Sequence, residues 1–208
     1  MKKLIPLMLA GVCIFAGCAS NDAPTSAAGG GVNVKNPHME KVWLAENFNF
    51  TGYDTIYVAD TQSTAKFQPD EATPLEAAKR GLQQQLVDAL KTKKLCANVV
   101  TRESDIPAGA KTLRLENTII EYSKGGGAAR YWVGLYGGGQ PVLKVSGKMS
   151  DSSKSLFTFE ARRSGVSAGA RMVGAFKSDV DIQSEDIASM VKDLTDFMEA
   201  TTKGQPKK

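Results

Sequence analysis

Gly165-Val166-Ser167-Ala168-Gly169 has the spacing of the nucleophile elbow of serine hydrolases. That chemistry needs the serine on a strand–turn–helix, with a histidine later in the chain to take its proton. The chain's one histidine, His38, comes long before it. The pattern therefore reads as part of a small-residue stretch, 164–175, and Ser167→Ala is expected to change nothing. A second glycine-rich stretch fills 124–140 (KGGGAARYWVGLYGGGQ). It has neither the spacing of a phosphate loop nor that of a dinucleotide fingerprint, and no helix start follows it directly. One histidine and three cysteines give little to build a metal site from. The 22 carboxylates are scattered, and no pair has a spacing that defines an acid and a base. No catalytic residue, metal ligand or cofactor site is assigned.

Composition sets the frame for these residues. The 208 residues are 42% apolar and 23% charged, enough for one domain with its own core and too regular for wholesale disorder. The formal charge is +4, but Lys2 and Lys3 supply two of those charges. If residues 1–17 are removed, +2 remains, and a nucleic-acid partner loses its electrostatic basis.

Residues 1–18 read MKKLIPLMLAGVCIFAGC. A basic start is followed by 14 residues without charge, Leu4 to Gly17. At ~1.5 Å per residue that run is short of a ~30 Å hydrocarbon core, so it reads as an export signal and not as a span. Its end, Phe15-Ala16-Gly17-Cys18, resembles the lipobox of bacterial lipoproteins, with Phe15 standing where an aliphatic residue is usual. The resemblance implies cleavage before Cys18, a diacylglycerol on its sulfur and an acylated new amine. Two or more chains anchor stably where one does not, at ~0.8 kcal/mol per buried CH₂. The resemblance also implies, through Ala19, sorting to the outer membrane, facing the periplasm. With Cys18 lipidated, only Cys96 is left, and its strand-like setting (LCANVV) suits a buried, inert thiol.

The expected organisation is a signal over 1–17, a lipid-anchored tether over 18–41, one domain over 42–203 and a polar tail over 204–208. Residues 19–37 are rich in Ala, Gly, Ser and Asn and would span ~25 Å as a flexible chain. Strands are expected at 54–60, 97–102, 111–122, 141–149 and 155–162, the last two joined as a hairpin. The third of these is expected to slip near Asn117, where alternation breaks. Thr73, Pro74 and Glu76 read as a helix start. Leu75, Ala78, Leu82, Leu86 and Leu90 then form one apolar stripe, and Ile187, Val191, Leu194 and Met198 form another over 183–202. The order β-α-β-β-β-β-α predicts an α+β fold: one mainly antiparallel sheet covered by two helices.

The soluble part resembles a group of bacterial lipoproteins, domain of unknown function family 4410. The likeness rests on Gly125–Arg130, Gly134, Gly137–Gly139, the strand ending at Asp151, and a glycine-rich segment before a closing helix, across roughly residues 50–200. It implies architecture and location, and no mechanism.

A meander of the last three strands would bring both glycine-rich loops to one rim of the sheet. That rim would collect Arg130, Tyr131, Trp132, Tyr136, Arg163 and Arg171. Trp, Tyr and Arg are the usual anchors of interfaces, and glycine lets a partner approach the backbone. The same aromatics would equally serve as a plug for the end of the core. The sequence thus suggests a non-enzymatic, lipid-anchored envelope domain that binds a protein partner or another copy of itself. Two alternatives stay open: an enzyme acting on an envelope polymer through unidentified carboxylates, and an oligomerising structural subunit.

Overall fold

The computed structural model describes residues 30–126, 139–152, 154–165 and 178–203. Eight strands form one sheet: β1 (Gly31–Asn33), β2 (Lys41–Ala45), β3 (Thr55–Val58), β4 (Gln62–Ser63), β5 (Asn98–Val100), β6 (Thr112–Ser123), β7 (Val142–Asp151) and β8 (Lys154–Arg163). Among the described residues two α-helices complete it, α1 (Ala72–Lys93) and α2 (Asp179–Thr202). The sheet runs β1-β2-β8-β7-β6-β3-β5, with β4 beside β6. β6, β7, β8, β2 and β1 are antiparallel; β3, β4 and β5 add parallel pairings. The architecture is the expected α+β sheet with two helices, mostly antiparallel.

The parallel part has a local cause. From β3 the chain crosses through α1 to β5, and a crossover of that length returns the next strand parallel. From β6 to β8 the strands are neighbours in sequence, and β7 and β8 join through a tight turn at Ser152, whose φ is +49°.

Both helices lie on one face. Leu75, Ala78, Leu82, Leu86 and Leu90 are buried, as their spacing predicts, and Val87 joins them. Ile187, Met190, Val191, Leu194 and Met198 form the stripe of α2. Leu113, Leu115, Ile119, Leu143, Val145, Met149, Phe157 and Phe159 meet them from the sheet. Each such large side chain, once fully buried, contributes about 1.5–3 kcal/mol before the entropy cost of ordering it.

Three expectations need correction. First, the stretch assigned to the tether, 18–41, already contains β1 and the first residue of β2. Val34 and Met39 there are buried, so the sheet begins well before Val42. Second, α1 starts at Ala72. A 3-10 turn at Pro69–Glu71 precedes it, and the side chain of Glu71 accepts the Gln68 N–H at 2.8 Å. Thr73 is therefore inside the first turn and does not cap it. Third, the irregularity in β6 falls between Ile119 and Glu121, not at Asn117. Skipping Ile120 lets Ile119 and Tyr122 both turn inward.

Candidate functional site: the rim of the sheet

Strand pairing gathers the roots of both glycine-rich segments at one end of the sheet. Ser123 pairs with Val142, and Leu143 with Arg163, so β6 and β8 end where β7 begins. The helices point to the same end. Gly81 of α1 lies beside Ile187 of α2, and Lys93 reaches Asp196 and Glu199, at 2.6 Å each. The helices therefore run parallel, with both N-termini toward the rim. Their dipoles add there as partial positive charge.

Two buried carboxylates hold the roots. Glu71, at the entry of α1, is 6% exposed. Its Oε1 accepts the Lys124 N–H at 2.9 Å while Oε2 accepts that of Gln68. Asp186, in α2, is 8% exposed and accepts the Gly165 N–H at 2.8 Å. Burial pushes the Asp186 carboxyl above its ordinary pKa, against the pull of that hydrogen bond and of the Arg163 charge. One glycine-rich segment thus starts on a carboxylate from the turn that leads into α1, and the other on a carboxylate from α2.

Glycine is obligatory at these roots. Gly125 has φ +77°, and a Cβ there would sit 2.6 Å from the Gly139 carbonyl oxygen. Gly126 N–H donates to that same oxygen at 2.9 Å, closing the neck of the first segment. Gly165 has φ +57°, and its Cβ would meet Pro141 Cδ at 2.9 Å. The two roots therefore touch. Beneath them Tyr122 donates to Gln183 Oε1 at 3.0 Å in the buried interior.

Of the rim residues read from the sequence, Arg163 is in place but already engaged. Its Nη2 donates to Asp193 Oδ2 at 2.6 Å and its Nη1 to the His38 carbonyl at 3.0 Å. It ties β8 to α2 and to the segment before β2, and is not a free binding arginine. Its partner lies 30 residues away in sequence, so spacing alone could not reveal the pair. Arg130, Tyr131, Trp132, Tyr136 and Arg171 lie outside the described residues, as do Ser167 and Cys18. Sequence reasoning missed Glu71 and Asp186. Gln68 and Glu71, three apart at a helix entry, carry a readable capping signal; Asp186 carries none.

Elsewhere the chemistry is subdued. Burial and the charge of Asp54 push the Cys96 thiol up to about 11, which keeps it protonated. Tyr53 is pushed up to about 12 by burial and by its hydrogen bond to Asp151, 3.1 Å. Among the described residues no group of three His, Cys, Asp or Glu could hold a metal ion. Among them, too, no helix is long and apolar enough to cross a membrane.

A family model described as Domain of unknown function (DUF4410) matches residues 56–169. The chain belongs to this family. The match runs from β3 through the whole of the β6–β8 meander, and so includes the roots of both glycine-rich segments of the DUF4410 domain. No curated protein matches the sequence. Among solved structures the chain is similar to the PelC dodecamer from Paraburkholderia phytofirmans in space group P6, at 14% identity and a TM-score of 0.47, covering 73% of this chain and 95% of that one. It is also similar to a Xanthomonas campestris protein of family DUF330, at 12% identity and TM-score 0.45, covering 77% and 91%. A third is a putative neuraminyllactose-binding hemagglutinin homolog from Helicobacter pylori, at 12% and 0.37, covering 74% and 92%.

Proposed function

We propose that this DUF4410 chain is an exported lipoprotein, held on the outer membrane by acyl chains on Cys18 and facing the periplasm. In this reading its domain is a binding or assembly module, not an enzyme. The observation that supports the module is the construction of the rim. Two glycine-rich segments leave the sheet side by side, each fixed at its root by a buried carboxylate, one from the turn that leads into α1 and one from α2. Fixing each loop at its root lowers the entropy it must lose on meeting a partner. The side chains suited to anchor that partner are Trp132, Tyr131, Tyr136, Arg130 and Arg171, a protein partner or a second copy being the expected occupant. The signal-like start and the FAGC lipobox support the anchor.

Two experiments test this. Mass analysis of the native N-terminus should find a chain beginning at an acylated Cys18, and Cys18→Ser should release an unprocessed or soluble form. An intact initiator methionine, or membrane retention of Cys18→Ser after carbonate washing, overturns the anchor. For the module, in-cell crosslinking from position 132 should trap a discrete partner. Trp132→Ala with Arg130→Ala should weaken that crosslink from a second loop position and leave the melting temperature near wild type. A large fall in melting temperature would make the aromatics a core plug and remove the binding reading.

A further inference from the structure

At the end of the sheet opposite the rim, one strand edge is open. β5 is the terminal strand and pairs, among the described residues, with β3 alone. Its Asn98 N–H donates to the Asp54 carbonyl at 3.0 Å, so the polar backbone of Asn98 faces inward. Successive residues of a strand direct their N–H and C=O to opposite edges. Val99 therefore presents both groups outward, where a further strand could take them.

A groove of about 620 Å³ runs beside this edge. Cys96, Val99 and Val100 give its lining an apolar part, and Lys91 and Lys94 line it too. Both lysines are exposed, and neither has a carboxylate partner among the described residues. Their neighbour Lys93 differs, being held by Asp196 and Glu199. Of the acids nearby, Asp54 accepts the Lys111 N–H at 3.0 Å, and Asp88, one helical turn before Lys91, accepts from Gln84 at 3.1 Å. Uncommitted positive charge, a partly apolar lining and unpaired backbone thus coincide along one short strand.

We infer that this edge receives an extended acidic segment of a partner protein as an added strand. The segment's backbone pairs with Val99, its alternate apolar side chains lie in the groove, and its carboxylates reach Lys91 and Lys94. The surface is separate from the rim, and its test is independent of the anchor.

The probe is a fluorescein-labelled peptide of alternating glutamate and valine, read by anisotropy against the purified full chain, with a lysine–valine peptide as control. The acidic peptide should bind, and weaken on going to about 0.3 M salt, where the Debye length shrinks to several ångströms. Lys91→Glu with Lys94→Glu should weaken it about tenfold or more, as expected from losing two charged contacts. Val99→Pro should abolish binding, while Val99→Ala, which loses the same packing against the core but keeps the outward N–H, should retain it. Hydrogen exchange on the unmutated chain is the second readout: the Val99 amide should gain protection when the peptide is added. Absence of binding, equal binding of the lysine–valine peptide, or binding without protection of Val99 would each overturn the inference.

Discussion

Along β6, Leu113, Leu115, Asn117 and Ile119 turn toward the helices and are sealed there, at no more than 1% exposure. Arg114, Glu116 and Thr118, one residue over each time, turn to the face that no described helix covers and stay within reach of water. The covered face is held by shape. Phe157 stacks on Phe159 and on Phe197 of α2, at 5.6 and 5.8 Å between ring centres. The open face is held by charge. Lys41 and Lys144 converge on Glu160 at 2.9 and 3.2 Å, and Arg162 meets Glu121 at 3.1 Å. One strand therefore obeys two sets of rules, and a change of one atom should cost very different amounts on its two sides.

Gly147 shows how strict the covered face is. A Cβ there would fall 2.0 Å from Cε1 of Phe159, a ring that is itself 2% exposed. The ring is buried and stacked on the fully buried Phe157, so it has little room to yield, and Gly147→Ala should cost about 3 kcal/mol, at the upper end for overpacking. The melting temperature should fall by roughly 6–12 °C for a domain of this size. If the ring is the obstacle, Phe159→Leu should cost less beside Gly147→Ala than alone. Equal costs in the two backgrounds would remove the steric explanation.

Asn117 is the exception on that face. It occupies an apolar position and pairs across the ladder with Gly147, and among the described residues neither its Oδ1 nor its Nδ2 has a partner. An unpartnered buried amide is destabilising, so Asn117→Leu should raise stability by about 1–2 kcal/mol. The denaturant midpoint should rise with the m-value unchanged. A loss of stability would mean that ordered water partners the amide in solution, and that polarity at this position is structural.

These contrasts also explain what the sequence could say. Alternation reveals which residues of a strand share a face, and it did so for β6, β7 and β8, where one face is apolar. The helical stripes were equally clear, because Leu75 to Leu90 repeat at three and four residues. β1, β2 and β4 are not legible: three, five and two residues are too few to carry a clear period, so the expected five strands fall three short. The bulge was felt as adjacent isoleucines but misplaced, since either Asn117 or Ile120 could have absorbed the slip. Pairing across the sheet was legible only where strands adjoin in sequence. Thus β6–β8 and their common rim followed from short turns, whereas β3 beside β6 depends on α1 crossing between them. At the rim, local spacing found the glycines and missed the carboxylates. What fixes the loops, Glu71 on Lys124 and Asp186 on Gly165, spans 53 and 21 residues.

The smallest effect belongs to the open face. Burial alone would raise the pKa of Glu160, but hydrogen bonds and charge from Lys41 and Lys144 outweigh it and hold the carboxyl below its ordinary 4.5. Its folded pKa is therefore lower than its unfolded one. The stability it contributes is present above about 4.5 and is lost as the pH falls through the lowered folded value. Lys41 is 63% exposed and screened by water, and Lys144, at 22%, divides its charge between Glu160 and Glu40, which it meets at 2.8 Å, so neither contact is worth much. Glu160→Gln should accordingly cost about 1 kcal/mol at pH 7 and less in high salt. In acid the variant and the wild type should converge, because both then carry a neutral side chain at this position. A cost that stays constant from pH 7 to pH 3 would mean that the side chain is held by packing, and that the open face follows the rules of the covered one.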